Sequence, residues 1–379
     1  MTDNKQMKIL IATGIYPPDV GGPATYAANL SRGLLRLNCA VKIVSYGKQN
    51  SAAKNGVIFI DRTKNIFGRY LIFFWRVYRA AAWADIVYIL DLVSVGFPAM
   101  MAAKLSGKKI VFRTGGDFLW EKAYQSGWTD LPLVKYYENK KSRREKILMG
   151  FCRWILKNIN LIIFSTKLQA AIYEKYYRVP AGKSVILSNA LPRVRAGQAE
   201  AQFKDSIIFA GRLIGLKNLE RLIRVFAAIE TKADLLMFGA GPAREKLQKI
   251  IQGFGLENRV KLMGVVPHVR LMEIIAGCRF LILPSITEIS PNLALECIGL
   301  GQAVILTRET GLDDILTGHL LLVDPLSEKD LEDKIRYLLD DNNLAAYKDK
   351  LRQINFSWRE WSQVAGEHCA IFKKLTQTA

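Results

Sequence analysis

Residues 279–307 read RFLILPSITEISPNLALECIGLGQAVILT. An apolar run, FLIL, passes through a short polar loop to Pro291 and a stretch of small and apolar residues. A second apolar run, AVILT, follows the glycines Gly299 and Gly301. This is the order strand, helix, strand. Short, uninterrupted apolar runs suit parallel strands covered on both faces, and proline just inside a helix start is ordinary helix punctuation. The spacing predicts a helix with Ser290 as cap and Pro291 as its first residue. Two carboxylates, Glu288 before the helix and Glu296 within it, have no basic residue close by in sequence. Their presence in so apolar a stretch needs a reason.

Outward from that unit the same alternation fills the chain. KILIATG leads into PATYAANLSRGLLRL, which has helical spacing, and AVKIVSY, GVIFID, ADIVYIL, KKIVFRTGG, NLIIFST and SVILSNALP follow as strand-like runs. RVRAGQAEAQFKD, residues 193–205, is polar and marks a domain boundary. A second series then begins: SIIFAGR, ADLLMFGAG, VKLMG, RFLILPS, AVILT and HLLLVD, with helical segments between. The expected fold is α/β, with two Rossmann-like doubly wound domains in tandem, residues 1–195 and 205–355. Such domains would face a cleft at the carboxyl ends of their strands.

The bulk properties agree with two cores. The chain has 379 residues, half of them hydrophobic, too many for one compact domain. Five scattered cysteines without metal-ligand spacing point to a reduced, cytoplasmic protein. The first residues are too poor in apolar side chains for a signal peptide, and no segment reaches the ~18 uncharged apolar residues of a membrane span. Charge is unevenly spread. Residues 1–200 hold 31 Lys and Arg against 12 Asp and Glu, so nearly all of the net +20 lies in the first half. That asymmetry predicts an anionic partner for the first half, a membrane surface or nucleic acid.

Three constellations carry chemistry. In the opening stretch, the free N–H groups and positive dipole end of the helix can cradle phosphate, while Glu288 and Glu296 accept hydrogen bonds from hydroxyls. Sugar, diphosphate and ribose have that layout in a nucleotide sugar. A helix cap with a solvated helical glutamate explains the same residues. In FAGRLIGLKNLERL, Arg212 and Lys217 stand at the end of a strand, before a helix whose expected cap is Asn218, and two cations there suit a diphosphate. Ordinary loop cations are the alternative. In GIYPPDVGGPATYAANL, Gly21 and Gly22 lie between the first strand and first helix, where bare backbone can approach a ligand. The pattern is not G-x-G-x-x-G, which disfavours a nicotinamide or flavin site. Gly239 and Gly241 in FGAGPARE suit a phosphate loop or a plain strand-to-helix turn equally.

Together, and in this order, these segments resemble glycosyltransferase family 4, the retaining nucleotide-sugar transferases of GT-B fold. Glu288 and Glu296 match its E-x7-E motif, AGRLIGLKNLERLI its donor-phosphate segment, and YPPDVGGPATYAANL its glycine-rich first loop. VILSNAL is similar to its V-I-P-N-G segment, and NFSWREWSQVAGEHCAIFKKL to its closing helix, so residues 356–379 would cross back to the first domain. The resemblance implies that Arg212 and Lys217 hold the donor diphosphate as leaving group, that Glu288 contacts the transferred sugar, and that Glu296 contacts the ribose. It implies phosphate contacts from the backbone of Ser290, Pro291, Asn292 and Leu293 and from Gly21 and Gly22, and a base pocket at Val265 and Val266. Many members carry a histidine where this chain reads FRTGGDFLWE. None stands here, and Asp117 is the nearest polar candidate, or else a helix cap after Gly115 and Gly116.

The implied reaction uses a nucleotide sugar as co-substrate and neither cofactor nor metal; His268, His319 and His368 are isolated in sequence. The basic half has a matching expectation. Lys140, Lys141, Arg143 and Arg144 precede Phe151 and Trp154 in a cationic helix that could lie in a membrane interface. FGRYLIFFWRVYRAAAW has similar composition. A solvated face on a core helix is the plain alternative. A peripheral enzyme on the cytoplasmic face, with a lipid-linked hydroxyl acceptor for glycolipid or polysaccharide synthesis, is the reading this favours. A nucleotide-sugar hydrolase or epimerase on the same fold is its nearest rival. Nucleic acid is disfavoured, because the cations accompany aliphatics rather than a stacking platform.

Overall fold

The computed structural model describes residues 6–19, 21–47, 56–63, 65–193, 200–355 and 357–377. The chain divides into two compact units. One takes residues 1–119, 140–190 and 359–379, the other 120–139 and 191–358.

The first unit contains a seven-stranded sheet of Lys8–Thr13 (β1), Ala40–Tyr46 (β2), Val57–Ile60 (β3), Ile86–Ile89 (β4), Lys109–Thr114 (β5), Leu161–Phe164 (β6) and Ser184–Ile186 (β7). Its spatial order is β3-β2-β1-β4-β5-β6-β7, and every pairing is parallel. Ile9, Leu10, Ile11 and Ala12 are all fully buried. Both faces of the strand are therefore covered, as its unbroken apolar run requires.

The second unit holds a six-stranded parallel sheet: Ser206–Ala210 (β8), Asp234–Phe238 (β9), Val260–Gly264 (β10), Phe280–Leu283 (β11), Val304–Thr307 (β12) and Leu321–Val323 (β13), in the order β10-β9-β8-β11-β12-β13. In each sheet the strand order reverses beside the first strand, between β1 and β4 and between β8 and β11. Two such sheets make the doubly wound, two-domain architecture that the sequence predicts.

Two segments depart from a single break near residue 195: the closing helix, whose return to the first domain the resemblance implied, and an internal segment that the sequence did not mark. The closing helix, Trp361–Gln377, belongs to the first unit. A Cβ at Gly33, on the helix Gly22–Arg36, would sit 2.6 Å from Ala365 Cβ, so only glycine admits this approach. Val364 and Phe372 are fully buried, each worth about 1.5–3 kcal/mol. Between the two helices and the sheet lies His368, whose Nε2 meets Tyr26 Oη at 2.9 Å and Tyr88 Oη at 3.1 Å. Burial pushes the imidazole down to about 3, so it packs as a neutral ring. The second departure is the segment Trp120–Asn139, which belongs to the second unit. There the Leu133 N–H donates to Thr287 Oγ1 at 3.1 Å.

Candidate functional site

The loops after β8 and β11 leave adjacent parallel strands at the point where strand order reverses, the place where doubly wound sheets bind ligands. The β8 loop is laced to the β9 loop: Gly211 N–H donates to Phe238 O at 2.9 Å and Leu213 N–H to Ala240 O at 2.9 Å. A Cβ at Gly239 would lie 1.8 Å from Gly211 O, and one at Gly241 2.3 Å from Leu213 O. Close packing of the two loops accounts for both glycines, and a phosphate loop is not needed to explain them.

Arg212 is exposed on the β8 loop, with no side-chain hydrogen bond or ion pair among the described residues. Lys217 ends a short 3-10 turn, Gly215–Lys217, and its ammonium pairs with Glu288 Oε1. Asn218 does occupy the cap position of the helix Leu219–Ala227, but it makes no side-chain cap bond. It is left-handed (φ 59°), and its buried amide donates to Pro284 O at 3.1 Å and Pro325 O at 2.8 Å. Asn218 thereby ties the β8 loop to the β11 loop.

Glu288 is held at both ends. Its N–H donates to Glu309 O at 2.8 Å, its carbonyl accepts from Gly311 N–H at 3.1 Å, and its Oε1 accepts from Ser285 Oγ at 2.6 Å. The helix that follows is Asn292–Gly299, one residue later than the sequence predicts. Pro291 sits outside it in the cap position (φ −79°, ψ 64°), and Ser290 is not the cap. Proline lacks an N–H, and here it takes the turn before the helix rather than its first position. The N-terminal residues Asn292 and Leu293 remain beside Glu288 in the chain. Further along, Glu296 Oε2 meets His268 Nε2 at 3.0 Å. That hydrogen bond, more than the opposing burial, raises the His268 imidazole above its usual range.

The two glutamates therefore do have basic partners, 71 and 28 residues away in the chain. His268 is isolated in sequence only. Val265, just past β10, is exposed, whereas Val266 packs against the core. Ser285, Thr287 and His268 were not singled out for this site. Ser285, three residues before Glu288, was within reach of sequence reasoning; the other two depend on contacts across the fold.

In the first unit, Gly21 (φ 156°) caps the helix Gly22–Arg36, and a Cβ at Gly22 would meet nothing within 4 Å. Asp117 is buried immediately before the helix Phe118–Gln125. Its charge adds to burial in raising the Cys152 thiol to about 12, and with Glu145 it opposes the lowering of Lys141 by burial. The basic segment forms the helix Arg143–Lys157, opened by a Ser142–Glu145 capping box. Lys140, Arg143 and Arg144 are exposed and Lys141 is half-buried. The apolar side of this helix is divided. Ile155 is in the core, while Ile147 and Trp154 are exposed and Phe151 stacks on Trp154 at 6.1 Å. Phe97 meets both of those rings and also Tyr70 of the helix Ile66–Ala81. That helix exposes Phe67, Leu71 and Trp75. Among the described residues, no helix is long and apolar enough to cross a membrane, and no group of three His, Cys, Asp or Glu is placed to hold a metal ion.

Comparison with known proteins gives one consistent picture. Residues 20–193 match the family model described as Glycosyltransferase Family 4, and residues 193–353 the model described as Glycosyl transferases group 1. A Campylobacter jejuni relative is 28% identical over 233 residues, 58% of this chain and 62% of that protein. It is named N-acetylgalactosamine-N,N'-diacetylbacillosaminyl-diphospho-undecaprenol 4-alpha-N-acetylgalactosaminyltransferase. The match thus spans less than two thirds of that relative's length. Anabaena Alr3699/HepE, crystallised with UDP and glucose, shares the fold with a TM-score of 0.74 at 13% identity, over 97% of this chain and all of that one. A putative UDP-N-acetylglucosamine 2-epimerase from Listeria monocytogenes shares it too, with a TM-score of 0.62 at 13% identity, over 99% of this chain and 98% of that one.

Proposed function

The chain belongs to glycosyltransferase family 4, and from that premise we propose that it moves a sugar from a nucleoside diphosphate sugar to a hydroxyl acceptor, with retained anomeric configuration. The observation that carries this reading is the cluster of Arg212, Lys217, Ser285 and Glu288 at the strand-order reversal of the second sheet. In it, Arg212 points a free guanidinium to solvent, while Lys217 has two further N–H groups beyond the one given to Glu288. Both take up the charge that grows on the departing diphosphate, the kind of term that dominates such transfers. With that charge met by side chains, the reaction has no need of a metal or other cofactor.

Glu288 accepts from hydroxyls of the transferred sugar, and Glu296 from the ribose. The N–H groups of Asn292 and Leu293 meet phosphate, and Val265 borders the base. The acceptor oxygen attacks the anomeric carbon on the face from which the diphosphate leaves. The C–O bond to phosphate breaks as the new glycosidic bond forms, and the acceptor proton passes to the departing phosphate oxygen. In the first unit, Asp117 serves the acceptor.

The acceptor in this reading is lipid-linked, and the enzyme docks peripherally on the cytoplasmic face of an anionic membrane. Support comes from Phe67, Leu71, Trp75, Ile147 and Trp154, exposed in the same unit as the exposed cations Lys140, Arg143 and Arg144. A thermal-shift panel of nucleoside diphosphates and their sugars tests the donor site, since a ligand of the folded state raises Tm. The stabilising donor is then incubated with candidate lipid-linked acceptors. Transfer to an acceptor supports the proposal, whereas free sugar or epimerised donor as sole product replaces it with a hydrolase or epimerase.

A further inference from the structure

A cavity of about 580 Å³ opens in the first unit at the amino-terminal end of β5, away from the strand ends discussed above. Lys104, Lys108, Lys109, Lys157 and Lys183 line it, together with Asn158 and Asn160, and no carboxylate does. Like charges so close repel, and part of the cluster has an internal explanation. The helices Gly96–Leu105 and Arg143–Lys157 both end here, and helix C-termini favour cations. Lys183 Nζ donates to Leu156 O at 2.9 Å and Lys157 O at 2.8 Å, and Lys104 Nζ to Asn158 Oδ1 at 2.5 Å.

The magnitudes do not balance. Two helix ends offer roughly half a negative charge each, against five ammonium groups. Lys108, Lys109 and Lys157 make no side-chain hydrogen bond or ion pair among the described residues. Lys183 already feels the crowding: burial first, then Lys104, lowers its affinity for its proton. About four charges are left without an answer. The cluster contains no arginine, so an anion here would be held by ammonium point charges rather than a planar fork, a mode in which lysine commonly binds phosphate. The volume exceeds what one phosphate fills.

We propose that this lysine cavity is a second anion site, separate from the donor site, for a ligand carrying two or more phosphate groups. Such groups occur in free polyphosphates and in the headgroups of phosphorylated lipids, and exposed Leu105 and Trp154 beside the cavity suit the latter. The inference does not rest on the donor-site reading.

The test is calorimetry of the full chain with sodium tripolyphosphate at low salt. Lys108→Ser, Lys109→Ser and Lys157→Ser together remove the uncommitted charges but leave Lys104 and Lys183 on their carbonyl and amide partners. Compared in an Arg212→Ala, Lys217→Ala background, which takes the proposed donor-site phosphate contacts out of the reading, this variant should bind about tenfold or more weakly than its parent. Should the triple variant melt early, Lys108→Gln with Lys157→Gln gives the same comparison at smaller amplitude. A second arm sediments both proteins with phosphatidylcholine vesicles carrying a phosphoinositide. Pelleting lost in the triple variant and competed by tripolyphosphate identifies a lipid headgroup. Tripolyphosphate binding with vesicle binding unaltered by the substitutions identifies a free polyphosphate. Equal affinity of the wild type and both variants, or no saturable binding by wild type in either arm, overturns the proposal.

Discussion

Two basic clusters among the described residues hold their charge in opposite ways. After β8, Lys217 is locked to Glu288, which is itself fixed by Ser285 and by backbone bonds to residues 309 and 311. At the start of β5, five lysines share a cavity with no carboxylate in its wall. The first arrangement sets positions, since a paired and buttressed charge has few places to go. The second makes a field, open to any suitable anion and weakened by salt. The halves of the sequence differ in the same sense, with the first carrying nearly all the net charge. A site for bond-making chemistry needs the first kind of order, whereas recognition of a charged partner can use the second.

The comparison breaks most visibly if the buttressed site does not bind phosphate. Arg212→Ala with Lys217→Ala should remove roughly 3–6 kcal/mol of nucleoside-diphosphate affinity, at about 1.5–3 kcal/mol for each charge-assisted contact. The single variants sharpen it. Lys217→Ala leaves the Glu288 carboxylate, only 14% exposed, without its cation, so its Tm should fall further than that of exposed Arg212→Ala. Calorimetry and thermal melts read both effects. Unchanged affinity in a folded double variant would sink the donor assignment.

The next effect concerns turnover. Glu288→Gln should lower kcat by about a hundredfold or more, as expected when a contact made to the reacting sugar is lost. Diphosphate affinity should change far less than turnover, because glutamine keeps an oxygen for the Lys217 ammonium while the proposed partner in the reaction is a sugar hydroxyl. Glu296→Gln should instead weaken nucleotide with or without a sugar attached. Wild-type kinetics in both variants would make the two glutamates purely structural.

These residues also mark how far the sequence could be read. The alternation of apolar runs and helical spacing is local, so both sheets and the loops at their strand ends were legible. Gly239 was visible as a glycine, but its cause, the carbonyl of Gly211 crossing a neighbouring strand end, was not. Lys217 and Glu288 were each singled out, and nothing in their spacing said that they touch. His268 looked isolated because its partner lies on another helix. The capping of the helix at Asn292 was misread because Ser-Pro punctuates a turn and a helix start equally well in sequence. Trp120–Asn139 carries no compositional mark of its place in the second unit, which depends on contacts such as Leu133 to Thr287.

For the basic segment that opens the helix Arg143–Lys157, salt is the probe. Replacing Lys140, Lys141, Arg143 and Arg144 by Ser should weaken binding to anionic vesicles by on the order of 1 kcal/mol per charge at low ionic strength. The wild-type advantage should shrink as salt rises, since screening reaches about 8 Å at 0.15 M. Exposed Phe67, Trp75 and Trp154 add a part that salt does not remove. Nucleotide affinity should not change in the same variant. Equal pelleting of the two proteins in a vesicle assay would reopen the case for a soluble acceptor.

The smallest effect tests whether the second carboxylate is truly buttressed. His268 is raised above the ordinary histidine value of 6.5 by its bond to Glu296. A group whose value is raised on folding stabilises fully below its unfolded value, and that contribution is lost as pH rises through the folded one. The His268–Glu296 pair should therefore be complete at pH 6 and fade through the range above 6.5. In Glu296→Gln the carboxylate is gone, burial still opposes the charge, and the imidazole should titrate at or below 6.5. Following the ring protons of His268 by NMR in both proteins decides the point, with the deeply buried, neutral His368 as a reference. Adding the nucleoside diphosphate carries the test into the site. If Glu296 turns to the ribose, it shares its oxygens between imidazole and hydroxyls, and the His268 value should drop toward 6.5 on saturation. A value that stays fixed while Lys217→Ala abolishes binding would separate Glu296 from the nucleotide and confine it to holding the two helices together.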